Sequence, residues 1–369
     1  ASGEFVNQVV TAKLERQMQD PLTVTSGAFP SWVTQLMAGA PFVFPFATRK
    51  QFLHTTAFGV ARALLQLQEN SGATASSGRS NSVMVGRIQR SKVRISRETI
   101  LSSAFKVLEL YAASKSVLEI EYFGESGTGL GPSLEFYTLV CAEVQRADLE
   151  MWRTSESKDN NYVVAPHGLF AKPFDWRKAE ASGPGSTAAA AGERLLKLFK
   201  FMGWLVGKAL MDSRLIDLPF APAMYKVLLG APLVAADVAL FDPVFAASLE
   251  PLMRAAEAVA NGTPADKVTV DDHGTRVEDP FLVFELPGAP GFALVDGGCE
   301  MEVTTANVGQ YVDAVVDATI GSGVRPQLDA FLAGVNDVFD LAALAGFDAR
   351  ELEIILMGTD EPCTAADIA

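Results

Sequence analysis

The chain has 369 residues, with 30 Lys and Arg against 44 Asp and Glu, a formal charge of −14. A surface of that sign repels phosphate and anionic lipid, which excludes general nucleic-acid and membrane-surface binding. Apolar residues make up 49% and charged residues 20%, enough to build a core, and at roughly 150 residues per domain the length predicts two or three compact units.

No window reaches the roughly 18 uninterrupted apolar residues of a spanning helix; the most hydrophobic, 195–210, carries Lys197, Lys200 and Lys208. The opening residues ASGEFV hold no initiator Met and no basic or apolar region of a signal peptide, so the chain reads as a fragment of an intracellular protein, cytoplasmic or nuclear. Cys141, Cys299 and Cys363 are few, odd in number and far apart, a pattern of neither a disulfide framework nor a zinc site.

In chain order, Trp32, Phe42, Phe44 and Phe46 form an aromatic run broken by Pro41 and Pro45, expected to pack against a neighbouring lobe, and a helix is expected over 49–68. Residues 71–82 and 181–192 are small, polar and Gly/Ser/Ala-rich, which predicts flexible inserts. The basic stretch Arg87, Arg90, Lys92, Arg94 and Arg97 has no aromatic interleaving and reads as a solvated connector. Ser96 reads as the N-cap of an amphipathic helix bearing Ile100, Leu101, Ala104, Val107, Leu108 and Tyr111. Leu118, Ile120 and Tyr122 alternate with Glu119 and Glu121, the period of a half-buried strand. A Gly-rich turn, GESGTGLG from Gly124, then leads to a helix carrying Leu134, Phe136, Tyr137, Val140 and Val144.

Residues 193–211 predict a helix apolar on nearly every face, a buried axis, closed by Asp212, Arg214 and Asp217. Beyond Pro243 the pattern becomes a small α+β unit. It comprises a helix face of Phe245, Leu249, Leu252 and Met253, strands over 268–270 and 281–286, and a hairpin over 292–303 turning at Asp296-Gly297-Gly298. Thr304 or Thr305 caps a helix bearing Tyr311, Val312, Val315 and Val316. Phe331, Val335, Val338 and Phe339, then a last helix over 350–357, precede Gly358.

Few side chains propose chemistry. The Gly-rich turn matches neither G-x-G-x-x-G with a trailing acid nor G-x-x-x-x-G-K-[ST], so it reads as a structural turn, with a nucleotide-using enzyme the remote alternative. Asp271, Asp272 and His273 precede Gly274 as a polar turn rather than a metal site. His54 and His167 have no triad pattern nearby. Cys141 sits among apolar helix neighbours, Cys299 among carboxylates, and Cys363 beside Glu361; none reads as an activated nucleophile.

The stretches VLEIEYFGESGTGLGPSLEFY from Val117, FKFMGWLVGKALMDSRLIDLP from Phe199, YVDAVVDAT from Tyr311 and LDAFLAGVNDVF from Leu328, in that order, resemble the HECT-type ubiquitin ligases. The GTGLGPSLEFY form, with Pro30-Ser-Trp and Phe42-Val-Phe-Pro-Phe46 upstream, is similar to the subgroup with an armadillo-type array before the ligase domain. The resemblance implies a mainly helical α+β fold, the N-terminal lobe of a HECT domain. An upstream segment over 1–70 would pack on the lobe, followed by a linker over 71–95, a large subdomain over 96–240 with its insert at 181–192, and a small subdomain over 241–320. Residues 321–357 would return to the large subdomain, and 358–369 would hold the hinge, Gly358, Thr359 and Asp360, and the start of the second lobe.

In this family the small subdomain recruits a ubiquitin-charged conjugating enzyme, and the second lobe carries the cysteine that accepts ubiquitin before a substrate lysine does. By position in the motifs, the groove for the conjugating enzyme would be Phe245, Ser248, Leu249 and Leu252, then Leu282, then Tyr311 and Val315. The nucleophile would lie beyond Ala369, leaving this stretch inactive alone, and Cys363 lacks its surrounding motif. The implied partners are a conjugating enzyme, ubiquitin and a protein substrate held by regions outside the chain, with no cofactor or metal. A non-catalytic module binding conjugating enzyme or ubiquitin is the alternative.

Overall fold

The structure, a computed structural model, describes residues 5–72, 89–155 and 161–359. In chain order its helices are α1 (Gln8–Gln19), α2 (Pro21–Ser26), α3 (Ser31–Gly39), α4 (Phe46–Thr56), α5 (Val60–Gly72), α6 (Ile100–Tyr111), α7 (Leu130–Val144), α8 (Trp176–Ala181), α9 (Thr187–Met211), α10 (Pro222–Leu228), α11 (Pro243–Ala260), α12 (Val308–Ile320), α13 (Arg325–Val338) and α14 (Ala349–Met357). Strands β1 (Arg90–Ile95) and β2 (Val117–Tyr122) pair in parallel, with Arg90 opposite Val117 and Ile95 opposite Tyr122. The chain is thus mainly helical α+β. The described residues fall into two compact units, one from within 1–144, 200–218 and 331–369, the other from within 145–199 and 219–330.

In the first unit, α1 and α3 close a small core of Leu14, Met18, Val33, Met37 and Phe44. Asn7 caps α1 by accepting the N–H groups of Val9 and Val10, both at 3.1 Å, which satisfies donors the helix leaves open. The helix expected over 49–68 is two helices, because Gly59 takes φ +94 between α4 and α5, a left-handed backbone that ends a helical run. Phe58 at that break is buried and meets Phe339 edge to face.

The buried Arg49 joins α4 to α14. It donates to the carbonyls of Phe44 and Gly346 and pairs bidentately with Glu351, with distances between 2.5 and 3.1 Å. Glu351 also closes the α14 capping box with Asp348.

The basic stretch is a strand rather than a connector. Arg90, Lys92 and Arg94 alternate with more buried neighbours along β1 and reach Glu119 and Glu121 across β2, so like charges that would repel in a loop meet opposite charges on the ladder. Ser96 does not cap α6; the helix starts at Ile100, and Thr99 before it makes no side-chain cap bond.

Helix α9 has the predicted apolar character, with Phe199, Phe201, Met202, Leu205, Val206 and Ala209 at 0% exposure. It begins at Thr187, six residues before the predicted start, so 187–192 is helix rather than flexible insert. Four successive alanines favour helix, and the Ser186 hydroxyl accepts the Ala189 N–H at 3.1 Å.

Further along, α9 meets α13 backbone to backbone. A Cβ at Gly203 would stand 2.2 Å from the Phe331 carbonyl oxygen, and one at Gly334 would stand 2.1 Å from that of Lys200. Neither oxygen can step aside without bending its helix.

In the second unit, Trp152 packs against Phe199 and Phe220, 5.5 and 6.1 Å between centroids. A separate core joins α11 and α12 with the segments between them: Leu249, Leu252, Val277, Phe284, Tyr311 and Val315 all belong to it. The strands expected over 281–286 and 292–303 shrink to single antiparallel bridges, Val283 with Glu302 and Glu285 with Ala293. Pro287 and Pro290 offer no N–H to a ladder, and Phe281, Gly288 and Gly291 take positive φ. Residues 268–270 turn back instead, the Val270 N–H donating to Thr275.

Two stability predictions follow from the first unit. Gly203→Ala or Gly334→Ala should each cost about 3 kcal/mol in urea unfolding, since the added methyl meets a carbonyl rather than space; a loss under about 0.5 kcal/mol would contradict the close approach. Burial, reinforced by the charges of Lys50 and Arg62, pushes the His54 pKa down to about 4, whereas an unfolded histidine titrates near 6.5. The unfolded chain therefore takes up a proton that the folded one refuses, and stability falls as pH drops from about 6.5 towards 4, with no contribution above that window. His54→Gln should flatten that slope by up to about 1.4 kcal/mol per pH unit, read from unfolding free energies at pH 7 and pH 5.

Candidate functional site

The residues singled out as a groove come together in the second unit. Asp242 starts α11 by accepting the Phe245 N–H at 2.9 Å, and Pro243 fills the first helical position, where no N–H is needed. Helix α11 packs on α12 through Leu249 and Leu252, and Tyr311 and Val315 come from the facing side. Phe284 meets the Tyr311 ring edge to face at 5.4 Å, and burial raises the Tyr311 hydroxyl pKa.

Side-chain access separates the seven positions. Leu249 (3%), Leu252 (7%), Tyr311 (1%) and Val315 (0%) are interior. Phe245 and Leu282 are half-buried at the cluster's edge, and Ser248 is exposed with its hydroxyl donating to the Phe245 carbonyl. A partner can touch Phe245, Ser248 and Leu282; the other four support them from beneath. Exposed apolar side chains of the same stretch that were not among the groove positions are Phe281, next to Leu282 in sequence and 84% exposed at φ +52, Met253 and Met301. Arg153, from the chain between α7 and α8, pairs with Asp242 at 2.7 Å.

The same stretch is strongly charged. Residues 241–320 hold fourteen acidic and three basic side chains, a net −11 of the chain's −14. One acid is internal to the frame: Glu278 accepts the Thr305 N–H and hydroxyl at 2.7 and 2.9 Å, and those bonds hold its carboxyl below the usual range. Thr305 is therefore committed to Glu278 and does not cap α12, which begins at Val308; Asn307 instead accepts the Thr304 N–H.

The remaining chemistry candidates are placed as follows. The buried Cys141 thiol is pushed up to about 12 by burial, the wrong direction for a nucleophile. Cys299 is exposed. Asp271 accepts from the N–H groups of His273 and Thr275 and from the Thr275 hydroxyl, an Asx-type turn. Among the described residues no group of three His, Cys, Asp or Glu is placed to hold a metal ion, and no helix is long and apolar enough to cross a membrane.

At the Gly-rich turn, Arg97 pairs with Glu125 and Glu135 and lies 4.0 Å over the Tyr122 ring. The Arg97 cation is thus engaged by two carboxylates, a poor setting for phosphate. Gly358 ends α14 at φ +90 with its N–H on the Ile354 carbonyl, and Thr359 is exposed. Asp360 and Cys363 lie outside the described residues, as do 73–82 of the expected first insert and Arg87.

Comparison with known proteins places this geometry in a family. A family model described as HECT-domain (ubiquitin-transferase) matches residues 138–369. The chain is 41% identical to the E3 ubiquitin-protein ligase UPL3 of Arabidopsis thaliana, over 97% of this chain and 20% of that protein. It is 36% identical to the E3 ubiquitin-protein ligase TRIP12 of Danio rerio, over 97% of this chain and 18% of that protein. With ubiquitin fusion degradation protein 4 of Saccharomyces cerevisiae it shares 36%, over all of this chain and 24% of that protein. The chain thus spans about a fifth of the length of these curated relatives.

Because four of the seven groove positions are interior, Leu249→Ala should act first on folding. It should lose about 2–5 kcal/mol of stability, whereas Ser248→Ala should stay within about 0.5 kcal/mol; thermal and urea unfolding of the two variants checks the division.

Proposed function

Because the chain belongs to the HECT family of ubiquitin ligases, we propose that residues 241–320 form the subdomain that receives a ubiquitin-charged conjugating enzyme, and that 358–360 form the hinge to a second lobe. The observation that carries this reading is the edge of the α11–α12 core: Phe245 and Leu282 present an apolar rim, with the exposed Ser248 hydroxyl on the Phe245 carbonyl, on the most acidic stretch of the chain. A loop aromatic of the conjugating enzyme would pack on that rim.

In the whole ligase the chemistry would be two acyl transfers. A thiolate of the second lobe attacks the carbonyl carbon of the donor thioester, releasing the conjugating enzyme's thiolate; a substrate amine then attacks the new thioester and releases the first thiolate. Residues of this stretch supply placement, holding the donor where the attacking sulfur can reach it. Burial raises the Cys141 thiol pKa, the wrong direction for that side chain to act as the nucleophile. Net charge −11 on the binding stretch favours donors with a basic contact face and speeds their encounter.

Calorimetric titration with a cognate conjugating enzyme tests the reading. Phe245→Ala should weaken binding by about 1–3 kcal/mol while leaving the fold intact, and wild-type affinity should fall as salt rises from about 0.05 to 0.5 M. Unchanged affinity of a folded Phe245→Ala variant removes the groove assignment.

A further inference from the structure

From outside the 241–320 stretch, the Arg153 side chain reaches the first turn of α11. Arg153 sits beside the antiparallel bridge between Trp152 and Ala171, and its own N–H donates to the Phe170 carbonyl at 3.0 Å. Its guanidinium carbon lies 5.8 Å from the Phe241 ring centroid and 5.0 Å from that of Phe245. One Nη bonds an Asp242 oxygen at 2.7 Å, while the other Asp242 oxygen accepts the Phe245 N–H at 2.9 Å. Phe241 is itself stacked on Phe170, 4.0 Å between centroids and 9° from parallel.

These contacts share one plane-shaped cation between two rings and one carboxylate. Its Nε is buried and has no hydrogen-bond partner among the described residues. A buried donor left open calls for a reason, and here the reason is placement: the Phe241 ring just before α11, the Phe245 ring on its first turn and the Asp242 carboxylate fix where the guanidinium lies. Lysine could keep the charge but not the plane. A cation near a helix N-terminus is electrostatically unfavourable, so Asp242 is needed to hold it there.

We propose that Arg153 is a positioning residue for the conjugating-enzyme groove: it fixes the first turn of α11 and the orientation in which Phe245 meets the partner. The inference rests on the groove assignment made above. Of the three rim residues, Phe245 is the one whose ring the guanidinium carbon faces, at 5.0 Å, and whose N–H is bonded by the same Asp242 carboxylate that Arg153 pairs with, so the effect of Arg153 is expected to run through Phe245.

The test is a double-mutant cycle in the full-length ligase, titrated with the ubiquitin-conjugating enzyme that supports its autoubiquitination. Arg153→Met should weaken binding about tenfold. Combined with Phe245→Ala it should add less than about twofold to the loss of Phe245→Ala alone, while combined with Leu282→Ala the two losses should multiply. Arg153→Lys, which keeps the pairing with Asp242, should fall between wild type and Arg153→Met, and it carries the test where the Met variant does not fold. Wild-type binding by Arg153→Met and Arg153→Lys, or losses that multiply with Phe245→Ala, would overturn the inference while leaving the groove in place. Wild-type binding by both Phe245→Ala and Leu282→Ala would overturn the groove and this inference together.

Discussion

The approach of α9 to α13 at Gly203 and Gly334 is the constraint on which the first unit is built. With no side chains between them, Phe331 and Lys200 bring their carbonyl oxygens to about 2 Å from where a Cβ would stand, and the next turn repeats the pattern with Gly207 against Val338. Such contact fixes the rotation of α9 about its own axis. Phe201 then stacks on Phe105 of α6 at 5.5 Å, and the Trp204 indole N–H reaches Asp337 at 2.8 Å. Lys208, at zero exposure, is carried to the turn before β2, where its ammonium donates to the carbonyls of Ser114 and Ser116. One pair of glycines thus decides which face of a helix apolar nearly all round receives each neighbour.

Cations in this unit are met by backbone carbonyls. Arg62 donates to the Met211 carbonyl that ends α9 and the exposed Lys115 to the Val338 carbonyl that ends α13, while the buried Arg49 donates to the Phe44 and Gly346 carbonyls. Helix C-termini leave carbonyls without intrahelical donors, and a cation there meets both the open oxygens and the negative end of the dipole. Burial of the two arginines is tolerable because each also finds a carboxylate: Asp212 for Arg62, Glu351 for Arg49. Removing one partner would leave an uncompensated charge, the costly case for a buried pair. Lys208 shows how far this goes, since burial pulls its pKa down to about 8 and the two carbonyls must solvate what water no longer can.

Sequence periodicity revealed α9, α11, α12 and β2 because each has one consistent pattern of buried positions. It failed where local chemistry competed with pattern. The helix over 49–68 reads as continuous until Gly59 takes a left-handed conformation. The basic stretch reads as solvated because its partners, Glu119 and Glu121, are a helix away in sequence. Residues 187–192 read as flexible because small side chains carry no amphipathic signal, yet alanine favours helix on backbone grounds alone. The groove shows the same division. Apolar spacing located the α11–α12 cluster, but spacing cannot distinguish the rim at Phe245 and Leu282 from the interior at Leu249 and Val315, and no pattern pointed to Arg153, about 90 residues upstream of the turn it touches.

On the proposed reading, the division between rim and interior bears on how the site works. A rim of Phe245, Ser248 and Leu282 offers little apolar area, and small interfaces belong to transient encounters. A ligase that must release each discharged donor before taking the next gains from fast dissociation, and the acidity of 241–320 can restore through encounter rate what the small contact lacks in residence time. Affinity would then depend on orientation more than on area, because a few side chains must meet their partner in one pose. That places the weight on the first turn of α11. Its geometry is held by Asp242 from within the helix cap and by Arg153 from the chain outside it, so a change at either should alter recognition while leaving the core beneath intact.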